Sequence, residues 1–102
     1  MPRVHAGRLD RLPSGRPVLI EAHGRRVALV RVGDAVHALD DSCPHAGGPL
    51  SEGVVIDDNL MCPYHCWEFD LVSGVCRAPG LGVSVAVYPA RVDAGEVWVE
   101  LP

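Results

Sequence analysis

The sequence predicts an all-β fold, and three of its features support this class. Eleven glycines and nine prolines divide the 102 residues into short segments, which favours many turns. No stretch of about twelve residues shows helical periodicity without a glycine or a proline. The apolar runs between the turns are rich in β-branched residues, and some alternate with a period of two. We therefore expect antiparallel sheets packed into a sandwich or a small barrel.

The first half of the chain predicts four strands separated by turns. His23-Gly24 suits a tight hairpin turn between the second and the third strand. In the fourth strand, alternation places Val36 and Ala38 on one face and His37 and Leu39 on the other. These four strands are predicted at residues 4–9, 17–22, 26–32 and 36–39.

The second half predicts two turns that each contain a cysteine and a histidine, followed by further strands. Residues 51–56 lead out of the first of these turns, and residues 60–61 lead into the second. Val83, Val85 and Val87 alternate with smaller residues and predict one buried strand face. Strands are predicted at residues 67–71, 75–77, 83–88, 91–93 and 97–100.

Length and charge limit the classes of function. A chain of 102 residues predicts a single domain over residues 1–102. The formal net charge of −4 argues against nucleic acid or an anionic membrane as a partner, but suits a basic docking partner. No apolar run has the length of a signal peptide or a membrane span. We therefore expect a cytoplasmic location.

Two short stretches carry the candidate chemistry, Cys43-Pro44-His45 and Cys62-Pro63-Tyr64-His65. Each supplies one thiol and one imidazole, and the residues between them, 46–61, are enough for an out-and-back excursion that returns the chain to the same place. Thiolates and imidazoles are ligands for zinc and iron. The sequence therefore predicts a metal site formed by Cys43, His45, Cys62 and His65.

Two alternatives to an iron site remain at this point. Four N and S ligands also suit tetrahedral zinc, although zinc fingers usually pair two cysteines on one turn and two histidines on a helix. Here each turn carries one of each, which suits a two-metal cluster whose irons need different ligands. A disulfide between Cys43 and Cys62 would leave both histidines without a role.

The pattern C-x-H, sixteen residues, C-x-x-H resembles the Rieske iron–sulfur proteins. The resemblance extends to residues 47–50 (GGPL), 67–70 (WEFD), Ser73-Gly74, Pro79 and Tyr88-Pro89, and it covers the chain from about Val18 onward. It implies a Rieske-type β fold with a cluster-binding lobe at about residues 41–79. It also implies one [2Fe–2S] cluster, with cysteines on one iron and histidines on the other.

The same resemblance implies a soluble one-electron carrier rather than an enzyme. The expected partners are a flavin-containing reductase and a terminal oxygenase, with the free protein a monomer. The alternative is the small subunit of an NAD(P)H-dependent nitrite reductase, which would bind a large subunit. Relatives of high potential carry a loop disulfide and two hydroxyls near sulfur. The matching positions are Gly48 and Tyr64 for the disulfide and Trp67 and Phe69 for the hydroxyls, which implies a low potential.

Two other features bear on the site. Cys66 stands where the family usually has glycine, and we expect it and Cys76 to be free thiols rather than a disulfide in a reducing compartment. Several acidic residues around the expected lobe either steer a basic partner or form a solvated surface. These residues are Asp40, Asp41, Glu52, Asp57, Asp58 and Glu68.

Overall fold

A computed structural model describes residues 2–45 and 47–102 and confirms the all-β prediction. It has eleven strands in three antiparallel sheets and two short 3₁₀ helices, at Leu9–Arg11 and Leu50–Glu52. The strands are β1 Arg3–Arg8, β2 Pro17–Ala22, β3 Arg25–Val32, β4 Ala35–Asp40, β5 Val54–Ile56, β6 Asn59–Met61, β7 Glu68–Asp70, β8 Cys76–Ala78, β9 Val87–Tyr88, β10 Ala90–Asp93 and β11 Glu96–Glu100. Over the described residues, no helix has the length and apolarity needed to cross a membrane.

The middle sheet has the order β2-β3-β4-β9 and is covered on both faces. Alternation along β3 explains this, because Val27 and Leu29 belong to one core while Ala28 and Val30 belong to another. The first core is shared with the sheet β1-β11-β10, and the second with the sheet β5-β6-β7-β8. The predicted division of β4 is confirmed in the same way, with Ala38 in the first core and Leu39 in the second.

Two turns form as their sequences indicate. His23 and Gly24 have φ values of 54° and 73°, so both residues of the β2–β3 turn are left-handed, as the favoured two-residue hairpin requires. Ala94 and Gly95 repeat this geometry, at 51° and 79°, between β10 and β11. Both hairpins therefore follow the right-handed twist of their strands.

One predicted strand is shorter than expected. Residues 83–88 were expected to be extended throughout, but only β9 pairs within a sheet, with β4. The preceding residues cross from the β5–β8 sheet to the middle sheet: Val85 donates to Gly74, and Ala86 accepts from the Asp40 N–H. The predicted buried face is nevertheless present, because Val83, Val85 and Val87 all pack in the second core. Two further strands were not expected: β5 lies within the segment 51–56, and β6 extends over residues 60–61 and also includes Asn59.

Candidate metal centre

The first cysteine–histidine loop follows β4 and occupies residues 43–49, of which Ala46 lies outside the described residues. The Cys43 N–H donates to the Gly48 carbonyl at 2.9 Å, and the Gly47 N–H donates to the Cys43 carbonyl at 2.8 Å. Gly47 has a φ of 69°, a conformation that glycine adopts at little cost. These bonds close the loop and leave His45 exposed at its tip.

Asp41 fixes the base of this loop. Its side chain is 3% exposed, and Oδ1 accepts the Ser51 N–H at 2.7 Å. The backbone carbonyl of Asp41 accepts the Leu50 N–H, also at 2.7 Å, and Arg26 Nε lies 3.7 Å from Oδ2. Sequence reasoning missed this role, because Asp41 was expected among surface acids. Its position two residues before Cys43 was the available signal, since a short acidic side chain often accepts backbone N–H groups at a turn.

The second loop joins β6 to β7 and occupies residues 62–67. The Cys62 N–H donates to the Trp67 carbonyl at 2.7 Å, and the Cys66 N–H donates to the Cys62 carbonyl at 3.2 Å. Cys66 has a φ of 59°, in the left-handed region where glycine is usual. Cys66 therefore adopts a backbone conformation typical of glycine, the residue that the resemblance noted above implies at this position.

The two loops bring the predicted ligands together in pairs of one kind. Nδ1 of His45 lies 3.2 Å from Nδ1 of His65, and both imidazoles are exposed. The two thiols, Cys43 and Cys62, are each 1% exposed and are not in a disulfide. A pair of thiols thus lies inside the protein and a pair of imidazoles lies at its surface.

The surroundings of the Cys62 thiol shift its pKa. Burial raises its pKa, and the neighbouring Cys43 thiol raises it further, whereas the backbone N–H groups of Tyr64 and His65 lower it. A metal ion bound at this sulfur would replace the proton that burial favours. Once the proton is gone, the same two N–H groups stabilise the negative sulfur.

The donor set fits a [2Fe–2S] cluster. Two imidazole nitrogens bound at about 2.1 Å to a tetrahedral metal lie about 3.4 Å apart, close to the separation of 3.2 Å found between His45 and His65. Among residues 2–45 and 47–102, no three His, Cys, Asp or Glu side chains gather to hold a single ion. The separation of the two nitrogens suits binding to one shared metal ion, and the separation of thiols from imidazoles suits the two unlike irons of such a cluster.

An aromatic side chain packs against the imidazole pair. The Trp67 ring stacks on His45 with centroids 4.0 Å apart and planes inclined by 11°. Phe69 is fully buried in the second core, and Tyr64 is 59% exposed beside Gly48. The prediction of free thiols at Cys66 and Cys76 is confirmed: Cys66 is exposed, and Cys76 is buried with its thiol 3.5 Å from the Ala78 carbonyl.

Comparison with known proteins places these features in a family. The model of the Rieske [2Fe-2S] domain matches residues 3–89. The anthranilate 1,2-dioxygenase ferredoxin subunit of Burkholderia cepacia is 33% identical over 95 residues, which cover 93% of this chain and 88% of the relative.

Solved structures give the same fold. A chain in the complex of reduced oxygenase and oxidized ferredoxin of carbazole 1,9a-dioxygenase is 28% identical, with a TM-score of 0.88 over 95% of this chain and all of that one. A Mycobacterium tuberculosis protein assigned as an NADH-dependent nitrite reductase small subunit is 35% identical, with a TM-score of 0.90 over 96% of this chain and 93% of that one.

Proposed function

This chain belongs to the Rieske [2Fe–2S] domain family, and on that premise we propose that it carries single electrons from a flavin-containing reductase to a terminal oxygenase. The observation that supports this most is the pairing of ligands: two buried thiols, and two exposed imidazoles with Nδ1 atoms 3.2 Å apart. In its family the cluster accepts and gives up one electron at a time. We propose a single domain, residues 1–102, whose cluster-binding lobe spans about residues 41–79.

We propose Cys43 and Cys62 as the ligands of the inner iron and His45 and His65 as those of the outer iron. The buried cysteines keep water from the sulfur side, while the exposed imidazoles lie where a partner protein can approach. An electron would therefore enter and leave through the histidine side. The carrier role is supported by the relatives that are named as ferredoxin subunits of dioxygenases.

Local hydrogen bonding supports a low potential. Among the described contacts of the Cys62 sulfur, the favourable ones are the backbone N–H groups of Tyr64 and His65. The side chains at the two positions where high-potential relatives carry hydroxyls are Trp67 and Phe69, which have none. Because hydrogen bonds to sulfur raise the potential of such clusters, we expect a value toward the negative end of the range of roughly −150 to +300 mV.

The partner is expected to meet an uncharged face. Residues 43–49 and 62–67 contain no Asp, Glu, Lys or Arg, although the whole chain carries a net charge of −4. Burying a charge without a counter-ion is costly, so an uncharged tip suits transient contact with an apolar surface. We propose that acidic residues adjacent to the loops in sequence, such as Asp40 and Glu68, steer a basic partner over a longer distance.

A second candidate is the small subunit of a nitrite reductase. It is favoured by the 35% identity to the Mycobacterium tuberculosis protein. The two candidates differ in assembly, since a subunit should purify with a large partner that reduces nitrite, whereas a carrier should purify alone as a monomer. We propose a cytoplasmic location, which agrees with both candidates, because Cys66 and Cys76 lie outside the proposed ligand set and are not joined in a disulfide.

The ligand assignment is tested with matched substitutions. Cys62→Ala should abolish the visible absorption and the acid-labile sulfide, whereas Cys76→Ala, which removes a buried thiol outside the loops, should retain both. Likewise, His65→Ala should lose the cluster and His37→Gln should keep it. A full-strength cluster in Cys62→Ala would overturn the assignment, and a cluster lost equally in both cysteine variants would point to a defect in folding.

The carrier role is tested by electron transfer. The chemically reduced protein, mixed without oxygen with the oxygenase and aromatic substrate of the anthranilate system, should be reoxidised by one electron per chain. Single-turnover kinetics at low and high salt would also measure how far charge contributes. Stoichiometric co-purification with a nitrite-reducing large subunit from the native host would favour the second candidate instead.

A further inference from the structure

The two loops of the site are not joined by a covalent bond. Cys43 and Cys62 are free, and the positions at which high-potential relatives place a disulfide hold Gly48 and Tyr64. Even so, His45 on the first loop and His65 on the second are held with their Nδ1 atoms 3.2 Å apart. Contacts between the loops therefore contribute to this separation.

Gly48 provides the first contact. It is buried and does not have a positive φ, so backbone conformation does not explain a glycine here. Lack of space explains the glycine, because a Cβ built on Gly48 would lie 3.0 Å from Cγ and Cδ2 of Tyr64 and 3.0 Å from Sγ of Cys62. The absence of a side chain lets the Tyr64 ring and the Cys62 sulfur of the second loop close onto the backbone of the first.

Trp67 provides the second contact. Its ring stacks on His45 at 4.0 Å, nearly parallel, while its carbonyl accepts the Cys62 N–H at 2.7 Å. One residue thus joins an imidazole of the first loop to a cysteine of the second. A stacked aromatic face also restricts rotation of the His45 ring, and so fixes the direction of its Nδ1 atom.

We propose that Tyr64 and Trp67 form an aromatic clasp, in which the second loop holds the first by packing on Gly48 and His45. Both are positioning residues, and their role is to keep the four ligands in register where no disulfide links the loops. This inference rests on the ligand assignment made above. It adds that the Tyr64 ring, although largely exposed, retains the cluster.

The first test measures cluster loss. Purified holo-protein is exposed to an excess of a ferrous chelator without oxygen, and the decay of visible absorption is followed. Tyr64→Ala should lose the cluster roughly two- to tenfold faster than wild type, the range expected for one aromatic contact, and Tyr64→Phe should match wild type. Val72→Ala is the control, because Val72 is an apolar side chain on another turn and is 73% exposed. Equal rates for Tyr64→Ala and wild type would overturn the clasp.

A double-mutant cycle tests the contact with Gly48. Gly48→Ala alone should speed cluster loss, because the new Cβ meets the Tyr64 ring and the Cys62 sulfur. In the Tyr64→Ala background the clash with the ring is gone, so the added effect of Gly48→Ala should be smaller. Fully multiplicative effects would show that the two positions act independently and would contradict the proposal.

Spectroscopy of the histidine nitrogens tests the role of Trp67, and it distinguishes a failure of the clasp from a failure of the ligand assignment. In reduced wild-type protein with ¹⁵N-labelled histidine, electron–nuclear double resonance should detect two coupled nitrogens. Trp67→Leu should change one of the two couplings, that of His45, and Trp67→Phe should restore it. Two couplings unchanged in Trp67→Leu would overturn the role of Trp67 alone, whereas no couplings in wild type would overturn the ligand assignment itself. Should Trp67→Leu fail to fold, Trp67→Phe and the Tyr64 variants decide the matter.

Discussion

Replacing Asp70 by asparagine should destabilise the protein by about 2 kcal/mol at neutral pH. Asp70 ends β7, and its Oδ1 accepts the N–H groups of Ser73 and Val72 at 2.8 and 2.9 Å, while Arg77 lies 2.9 Å from Oδ2. The Ser73 N–H makes the largest contribution to a pKa of about 2, partial burial opposes it, and Arg77 assists. A fall from 3.8 to about 2 corresponds to roughly 2.4 kcal/mol, which screening at the exposed Arg77 reduces.

The pH dependence has a definite sign. Because the folded-state pKa lies below the unfolded value, the contribution of Asp70 is fully present at neutral pH and is lost as pH falls from the ordinary value of 3.8 through about 2. The gap between wild type and Asp70→Asn should therefore be the same at pH 7 and at pH 5. For a chain of this size it should appear as a Tm lower by roughly 8–16 °C in far-ultraviolet circular dichroism.

Asp34→Asn, an exposed carboxylate in the β3–β4 turn, is the matched control and should stay within about 0.5 kcal/mol of wild type. The reasoning is refuted if Asp70→Asn is equally close to wild type at pH 7. It is also refuted if the gap closes between pH 7 and pH 5, because a carboxyl group whose pKa is lowered to about 2 stays ionised over that whole range.

Three further predictions concern stability and are checked by thermal unfolding of the holo-protein. Phe69→Ala should cost about 3–5 kcal/mol, because Phe69 is fully buried in the second core; a loss below 1 kcal/mol would mean that the cavity collapses. Cys66→Gly should raise the free energy of unfolding by about 0.5–1 kcal/mol, because glycine adopts a φ of 59° with less strain, whereas Cys66→Ala should leave it unchanged. A less stable glycine variant would contradict this. Burial lowers the pKa of His37, although the charges of Asp70 and Asp58 oppose the shift. Because the unfolded chain then binds the proton more readily, the Tm of wild type should fall more than that of His37→Gln between pH 7.5 and pH 5.5. Equal falls in Tm would refute the lowered pKa.

Local signals explain which parts of the fold could be predicted from the sequence. The β2–β3 hairpin was predictable because His23-Gly24 specifies its turn and the flanking runs are β-branched. The two-sided burial of β4 was predictable because side chains alternate between the faces of a strand. Strands β5 and β6 have only three residues each, too few for a period to be detected. Residues 83–86 alternate without belonging to a sheet, because they cross between two sheets that share one core.

The site divides in a similar way. The types of the predicted ligands and their spacing can be read directly from the sequence. The candidate metal ligands could therefore be named as Cys43, His45, Cys62 and His65. Contacts between the loops could not be predicted from the sequence, because they depend on how two segments that are distant in the chain meet in the fold. The buried carboxylate of Asp41 and the stacking of Trp67 on His45 are of this kind.

The central claim is that two unlike irons are held by two thiolates and two imidazoles, and ⁵⁷Fe Mössbauer spectroscopy of the oxidised protein tests it most directly. The account predicts two quadrupole doublets of equal area, since one iron has only sulfur ligands and the other has two nitrogens. Reduction by one electron should convert only the nitrogen-ligated iron to the ferrous state. A single doublet from two equivalent irons, or one zinc per chain without sulfide, would contradict the account.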